Sequence, residues 1–233
     1  TDCAKLGYTK SVSQCSDGYL QCPYNTAAVF CEDIGAAVAV GDILYGDGTV
    51  ANSLVAGKTP IGIVFDTTNH LAVALTDIKK DGTAGSSSMY WASSYCDTPN
   101  LDNCTSSDGL TSCGVDGRTN TNAILASTCI GTTYVANGAN AYEPSGCSKD
   151  FCKKTKWFLP SMRDLITLYN AKSYVNASLS LTASSGAKTL TESYYWSSTE
   201  YDNFYAWRLV MSDGGRYDYS KSNNRYVRPV LAF

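Results

Sequence analysis

Tyr194-Tyr195-Trp196-Ser197-Ser198-Thr199-Glu200 and Tyr226-Val227-Arg228-Pro229-Val230-Leu231-Ala232-Phe233 are the two blocks whose reading decides the fold. Between them runs a tract, Tyr201 to Arg225, that is dense in Tyr, Asp, Asn, Ser and Arg and poor in aliphatic residues. That is the composition of a paratope, in which Tyr supplies rigid amphipathic area, Arg supplies anchors, and Ser, Gly and Asn supply adaptable hydrogen bonds. The competing reading is a polar edge hairpin with a few surface tyrosines. Clustered exposed aromatics are costly unless used, which favours recognition.

Within the tract, Trp207, Leu209 and Met211 alternate with Arg208, Val210 and Ser212. One face is therefore expected to be buried and the other displayed. Asp213-Gly214-Gly215 reads as the turn and Arg216 to Ser220 as the return arm. Pro229 implies an edge position or an interruption in the last apolar segment.

Upstream, Trp157-Phe158-Leu159-Pro160 leads into Ser161-Met162-Arg163-Asp164. Ser161 as N-cap, with Asp164 three residues on, resembles a capping box with Asp in place of Glu. Leu165, Leu168 and Tyr169 then give one apolar helical face. A second helix carrying Ala123-Ile124-Leu125-Ala126 is expected to be capped by Thr119-Asn120-Thr121-Asn122. Asn176-Ala177-Ser178 is a glycosylation sequon, meaningful in a eukaryotic secretory host.

From Val38 the pattern is β. Gly41-Asp42-Ile43-Leu44-Tyr45 runs into the turn Gly46-Asp47-Gly48. Ile61-Gly62-Ile63-Val64-Phe65 and His70-Leu71-Ala72-Val73-Ala74-Leu75 flank the hairpin signal Asp66-Thr67-Thr68-Asn69. His70, the single histidine, starts a strand and reads as a surface residue. Residues 79–116 read as long loops held by disulfides, with Tyr90-Trp91 as a local packing anchor.

The 233 residues can build one sizeable core, burying roughly 70% of the extended-chain surface. The net charge of -3 and a pI near 5.1, with no Lys/Arg run, argue against nucleic acid or an anionic membrane as partner. No apolar stretch approaches a membrane span. The chain begins Thr1-Asp2-Cys3, without Met or a signal pattern, and reads as a mature fragment whose export or anchoring segment lies upstream.

The 10 cysteines fall into a front group, Cys3, Cys15, Cys22 and Cys31, and a middle group, Cys96, Cys104, Cys113, Cys129, Cys147 and Cys152. None stands in a C-x-x-C pair, and with one histidine a zinc site is disfavoured. Disulfides are the reading, and with them an oxidising compartment. Connectivity stays open, pairing within each group being the simplest arrangement. Residues 1–35 form a small Cys-rich segment and residues 36–233 the main domain.

Trp157-Phe158-Leu159-Pro160-Ser161, the Tyr195-to-Glu200 block, Ala206-Trp207 and Val227 to Phe233 together resemble bacterial proteins with a C-type-lectin-like domain of the DUF1566 kind. Gly41-Asp42-Ile43, Pro60 to Phe65 and Gly117-Arg118-Thr119-Asn120-Thr121 fit the earlier part of that pattern, so the resemblance spans about residues 38 to 233. It implies an α+β, C-type-lectin-like (formylglycine-generating-enzyme-like) domain with two helices and antiparallel sheets, disulfide-braced.

Many such proteins resemble the variable proteins of diversity-generating retroelements, whose C-terminal tract is rewritten by adenine-directed mutagenesis. Here the corresponding region is about 200–228. Asp202, Asn203, Phe204, Tyr205, Arg208, Val210, Ser212, Arg216, Tyr217, Asp218, Tyr219, Ser220, Ser222, Asn223 and Arg225 all belong to the set that such mutagenesis reaches from Asn-type codons. Trp207, Met211 and Lys221 do not, and would be scaffold. Those fifteen residues are the expected ligand-binding surface, with Tyr205, Tyr217 and Tyr219 as aromatic anchors.

A calcium-dependent sugar lectin is weighed and set aside. Glu143-Pro144-Ser145 and Trp207-Arg208-Leu209 stand where such lectins carry carboxylate and amide ligands, and Arg208 would put a cation among them. No cysteine follows Cys152, which removes the thiol chemistry of formylglycine-generating enzymes, and no triad or elbow motif is present. The expectation is a non-enzymatic protein with no cofactor and no metal, monomeric, extracellular or displayed on a bacterial surface. Its partner would be a protein or glycan on another cell, phage or host surface. Alternatives are a fixed pilus-associated or structural subunit, and a metal-independent carbohydrate-binding lectin.

Overall fold

The apolar residues of the front half run almost unbroken through Ile61–Phe65 and Leu71–Leu75, and because successive side chains of a strand point to opposite faces, both faces of the sheet are apolar. In the computed structural model, which describes residues 37–233 together with the strand backbones of 9–11, 19–21 and 29–33, the chain divides into two compact units, 1–38 and 39–233. The first holds β1 (Thr9–Ser11), β2 (Tyr19–Gln21) and β3 (Val29–Asp33), an antiparallel sheet in the order β1-β3-β2. The expected pairing of Cys3, Cys15, Cys22 and Cys31 lies outside the described residues.

The second unit contains β4 (Ile43–Tyr45), β5 (Val50–Ala51), β6 (Pro60–Asp66), β7 (Leu71–Ala74), β8 (Met89–Tyr90), α1 (Gly117–Ala126), α2 (Tyr134–Ala141), β9 (Trp157–Phe158), α3 (Met162–Asn170), α4 (Lys172–Leu181), β10 (Tyr194–Glu200), β11 (Tyr205–Val210), β12 (Arg216–Ser220), β13 (Asn224–Arg225) and β14 (Val230–Ala232). Its largest sheet has the order β5-β4-β6-β7-β14-β9. The last strand is thus inserted centrally, pairing Val230 with Val73 on one side and with Phe158 on the other. Pro229 precedes that strand rather than marking an edge, and its carbonyl accepts from Ala74 N at 2.9 Å. The interruption is as expected; the edges are β5 and β9.

Both faces of this sheet are covered. Ile43, Ile63, Phe65, Val73 and Val230 meet α3, α4 and the inner side of β11 in one core. Leu44, Ile61, Ala72 and Leu231 meet α1, α2, Trp91 and Trp196 in a second. Each fully buried Leu, Ile or Phe contributes about 1.5–3 kcal/mol, so a sheet buried on both sides is a rigid base. The Asp66 carboxylate closes the β6–β7 hairpin, accepting from Thr68 N and Asn69 N at 2.9 Å each. His70 lies in that turn, with φ 50, rather than on the strand.

Four α-helices are present among the described residues, against the two expected. The capping box of α3 is formed as anticipated, Ser161 N donating to Asp164 Oδ2 at 2.9 Å and Asp164 N to Ser161 Oγ at 3.1 Å. Helix α1 begins earlier than Thr119: Asp116 is its N-cap, accepting from Arg118 N and Thr119 N, and Thr119 to Asn122 lie in the helix body. Helix α2 has Gly138 and two Asn, and is held by burial of Val135, Ala136 and Ala139. Helix α4 follows α3 directly and buries Val175 and Leu179. The sequon sits on it: Asn176 Oδ1 accepts from Leu190 N at 2.8 Å, so this amide is engaged on a helix, not offered on a loop.

Residues 79–116 are mainly irregular, as expected. Three disulfides brace the described region: Cys96–Cys129, Cys104–Cys113 and Cys147–Cys152. All three pair within the middle group. Of the expected Tyr90-Trp91 anchor, only Trp91 is buried, its Nε1 donating to Ser197 O at 2.9 Å; Tyr90 is exposed.

Candidate functional site

Strands β10, β11 and β12 form a separate antiparallel sheet with β11 in the middle. Tyr195, Trp207 and Leu209 point into the first core, and Trp196 and Ala206 into the second. The β11–β12 turn lies where the sequence puts it. Gly214 adopts φ +77, and a Cβ there would come within 2.6 Å of the Tyr169 ring. Only glycine meets both conditions.

Two buried ion pairs pin the ends of this sheet. Glu200 and Lys221 have fully buried side chains and bond each other directly. Glu200 also accepts from Thr98 N and Thr98 Oγ1, while Lys221 Nζ donates to the Cys96 and Asn203 carbonyls. Burial pushes the Glu200 carboxyl up and the Lys221 ammonium down, each only partly offset by the other's charge. At the far end Arg228 Nε donates to Asp77 at 2.7 Å, and its remaining N–H groups donate to the carbonyls of Ala74, Lys188 and Thr189. These pairs cross-link distant loops to the two blocks flanking the tract.

The structure corrects the sequence reading at two of the expected surface residues. Arg208 and Val210 are buried, at 8% and 7% exposure, rather than displayed. They occupy the central strand, and the Tyr side chains of both neighbouring strands fold over Arg208. The Arg208 guanidinium lies 4.1 Å from the Tyr194 ring centre, 4.0 Å from that of Tyr219 and 5.7 Å from that of Tyr217. Arg225 stacks on two of the same rings, 5.0 Å from Tyr194 and 4.4 Å from Tyr219. Burial, and then the Arg225 charge, pull the Arg208 guanidinium below its ordinary value; an arginine stays charged regardless.

The other expected residues lie at or near the surface, but the register Tyr205↔Ser220, Trp207↔Asp218 and Leu209↔Arg216 puts Tyr205, Ser220, Asp218 and Arg216 on the opposite side of the sheet from this stack. Asn203, Phe204, Tyr205, Ser212, Arg216, Tyr217, Asp218 and Ser222 are exposed, and Asp202, Tyr219, Ser220, Asn223 and Arg225 are half-buried. Asp202 shapes its loop, Oδ1 accepting from Phe204 N and Tyr205 N. Trp207, Met211 and Lys221, read as scaffold, are buried.

Two contributors escaped the sequence reading. Tyr194 belongs to the stack although it falls in the flanking block. Tyr95, beside the Cys96–Cys129 bridge, bonds Ser220 Oγ and Ser222 Oγ at 3.0 and 2.6 Å and packs 5.4 Å from the Phe204 ring. Composition marks both as tyrosines next to a motif, but only tertiary pairing brings Tyr95 to the tract. Beyond β13, a cleft of ≈ 430 Å³ is lined by Lys79, Asp81, Tyr90, Tyr134 and Asn224 among others. Among the described residues no three His, Cys, Asp or Glu side chains are grouped to hold a metal.

The fold and site therefore define a disulfide-braced α+β domain that presents a stacked Tyr/Arg face from a rigidly anchored sheet. The Lcl C-terminal domain family matches residues 79–231, and the chain belongs to that family. Among solved structures it is similar to a fimbrial protein from Bacteroides ovatus, with a TM-score of 0.55 at 19% identity over 87% of this chain. The chain spans about half of that protein, 51% of its length. Comparison with curated proteins gives no match.

Proposed function

We propose that this is an exported, surface-displayed bacterial binding protein with an adhesin-like role, a C-type-lectin-like fold and no enzymatic activity. Its recognition surface is the outer face of β10–β12 with β13 and the loops at 201–204 and 221–223. One observation carries the reading: exposed aromatic side chains, with Arg208 and Arg225 stacked on their rings, are gathered on a sheet whose ends are locked by the Glu200–Lys221 and Arg228–Asp77 pairs. A recognition surface needs that combination of a stiff base and adaptable side chains. The disulfides suit an oxidising, extracytoplasmic setting. The likeness to a fimbrial protein supports display at a bacterial surface.

Retroelement diversification of residues 200–228 is part of the proposal, because most of the tract's side chains could change without touching either core. Sequencing the gene's 3′ end tests it. A near-copy of the segment differing at adenines, beside a reverse-transcriptase gene, is expected; without one the surface is fixed. Binding is tested with a ligand selected from a displayed library, which should lose affinity for Tyr217→Ala. Equal binding by that variant sinks the site assignment.

The fimbrial likeness favours a second reading, a structural subunit whose Tyr-rich face meets a sister subunit. Scattering at rising concentration separates them. A stable oligomer that falls apart when Tyr217 and Tyr219 are changed to Ala selects the subunit reading.

A further inference from the structure

We infer that the centre of this face is a receptor for an acidic side chain of a protein partner, with Arg208 as the residue that pairs with the incoming carboxylate. The inference rests on the recognition-surface reading and adds the chemistry of the ligand. It starts from a contrast between two buried arginines. Arg228 spends its donors on a carboxylate and three carbonyls. Arg208 is also more than nine-tenths buried, yet its Nε and Nη1 have no hydrogen-bond partner, and neither has the Nε of Arg225. None of the ion pairs among the described residues involves Arg208 or Arg225.

Two like charges thus share the Tyr194 and Tyr219 rings with no carboxylate to balance them. Stacking over a ring contributes about 0.5–2 kcal/mol, but a ring face does not replace a hydrogen-bond acceptor. A buried donor left unpaired costs about 1–3 kcal/mol. A planar carboxylate on one edge of the Arg208 guanidinium, through Nη2 together with Nε or Nη1, would give one of the two orphaned donors an acceptor and cancel one of the two like charges. Tyr217 is the most exposed of the three rings, at 51%, and the farthest from the guanidinium. It is the ring that moves aside to admit the acid.

The surroundings select a protein as the source of that carboxylate. The cleft at Tyr90 and Tyr134 does not count Arg208 among its lining residues. Instead the guanidinium is ringed by Tyr194, Tyr217 and Tyr219, of which Tyr194 and Tyr217 are exposed. A charged anchor ringed by aromatics on an open face is the pattern of a protein–protein hot spot.

The test uses the full chain with ¹⁵N-labelled arginine, phenylalanine and tyrosine, following the Nε–Hε resonances of Arg208 and Arg225 and the backbone amides of Phe204 and Tyr217. The probes are the blocked peptide acetyl-Phe-Glu-Phe-amide, its Gln counterpart, glucuronate and sodium sulfate. The Glu peptide is expected to move both resonances saturably and to bind about tenfold more tightly than the Gln peptide, the scale of a close charge pair. Arg208→Gln, with its thermal unfolding checked against the parent, should erase that difference, and Arg208→Lys should not restore it. Glucuronate or sulfate moving the resonances as strongly as the Glu peptide overturns the protein-acid assignment. Equal affinity for the Glu and Gln peptides, with the Phe204 and Tyr217 signals responding, overturns the acid receptor while leaving the recognition surface standing. No response at Arg208 to any probe overturns the inference, and silence of Phe204 and Tyr217 as well would count against the surface itself.

Discussion

Arg228 Nε donates to Asp77 Oδ1 at 2.7 Å, joining residues 151 positions apart in a site closed to water. Tyr195 Oη donates to the same Asp77 oxygen at 2.9 Å, and Thr191 Oγ1 to its other oxygen at 2.9 Å. The aromatic block before the tract and the Val-Arg-Pro-Val block after it therefore converge on one carboxylate. This convergence sets the separation of the tract's two ends.

Removing one partner of such a pair leaves an uncompensated charge, so Arg228→Ala should cost about 3–5 kcal/mol. Arg228→Lys should recover only part of this, because an ammonium cannot reach the Asp77, Ala74, Lys188 and Thr189 oxygens together. Urea unfolding measures both. A loss below about 1 kcal/mol for Arg228→Ala, the scale of a surface pair, would mean that the blocks are held by packing alone.

The Glu200–Lys221 pair should behave differently under double replacement. Burial pushes the Glu200 carboxyl up and the Lys221 ammonium down despite their mutual attraction. Single changes, Glu200→Met or Lys221→Met, should each cost about 3–5 kcal/mol, whereas the pair of Met substitutions should cost clearly less than their sum, what remains being the Thr98, Cys96 and Asn203 groups left without partners. Unfolding of the four proteins closes the cycle. Additive losses would show that the two side chains act independently.

The elements that sequence made legible are those fixed by local chemistry. Ser161 and Asp164 form a capping box within four residues, Asp66 shapes its own hairpin, and Gly214 is demanded by its turn. Helices α2 and α4 carry weak local signals, with Gly138 in one and Ser, Asn and no side-chain cap in the other. Their stability comes from the sheet they cover, which periodicity alone does not reveal. The alternation along β11 places Trp207, Leu209 and Met211 inward, as the structure does. It misplaces Arg208 and Val210, which are buried as well, because alternation identifies a face but not what packs over it. Tyr95 reaches the tract through a long-range disulfide loop, and no local pattern encodes that.

Tyr142 gives the fold an alkaline limit. Burial among apolar neighbours pushes its hydroxyl up to about 12, and its ring packs 4.9 Å from Trp157. A folded-state value above the unfolded one, near 10, means that the folded protein holds this proton more tightly. The resulting stabilisation is complete below pH 10 and is lost as pH rises toward 12, amounting to about 2–3 kcal/mol. Tyr142→Phe should flatten the alkaline limb of a stability–pH profile. An unchanged slope in that variant would assign the limb to other groups.

The face and its base should respond oppositely to mutation. Phe204, Tyr217, Asp218 and Ser222 are exposed, whereas Trp207 and Met211 are buried beneath the same sheet. Trp207 also donates its Nε1 to Cys104 O at 2.6 Å, tying the sheet to the Cys104–Cys113 bridge. Saturation of the four exposed positions should leave most variants within about 0.5 kcal/mol of the parent. Trp207→Ala should cost about 3–5 kcal/mol through the cavity it leaves. Protease-resistance sorting of a displayed library reads both at once. Broad tolerance on the face beside intolerance at Trp207 is what a surface free to change its specificity requires. Comparable losses at Tyr217 and Phe204 would instead make those rings part of the fold, and the recognition role would have to be sought in the cleft between Tyr90 and Tyr134.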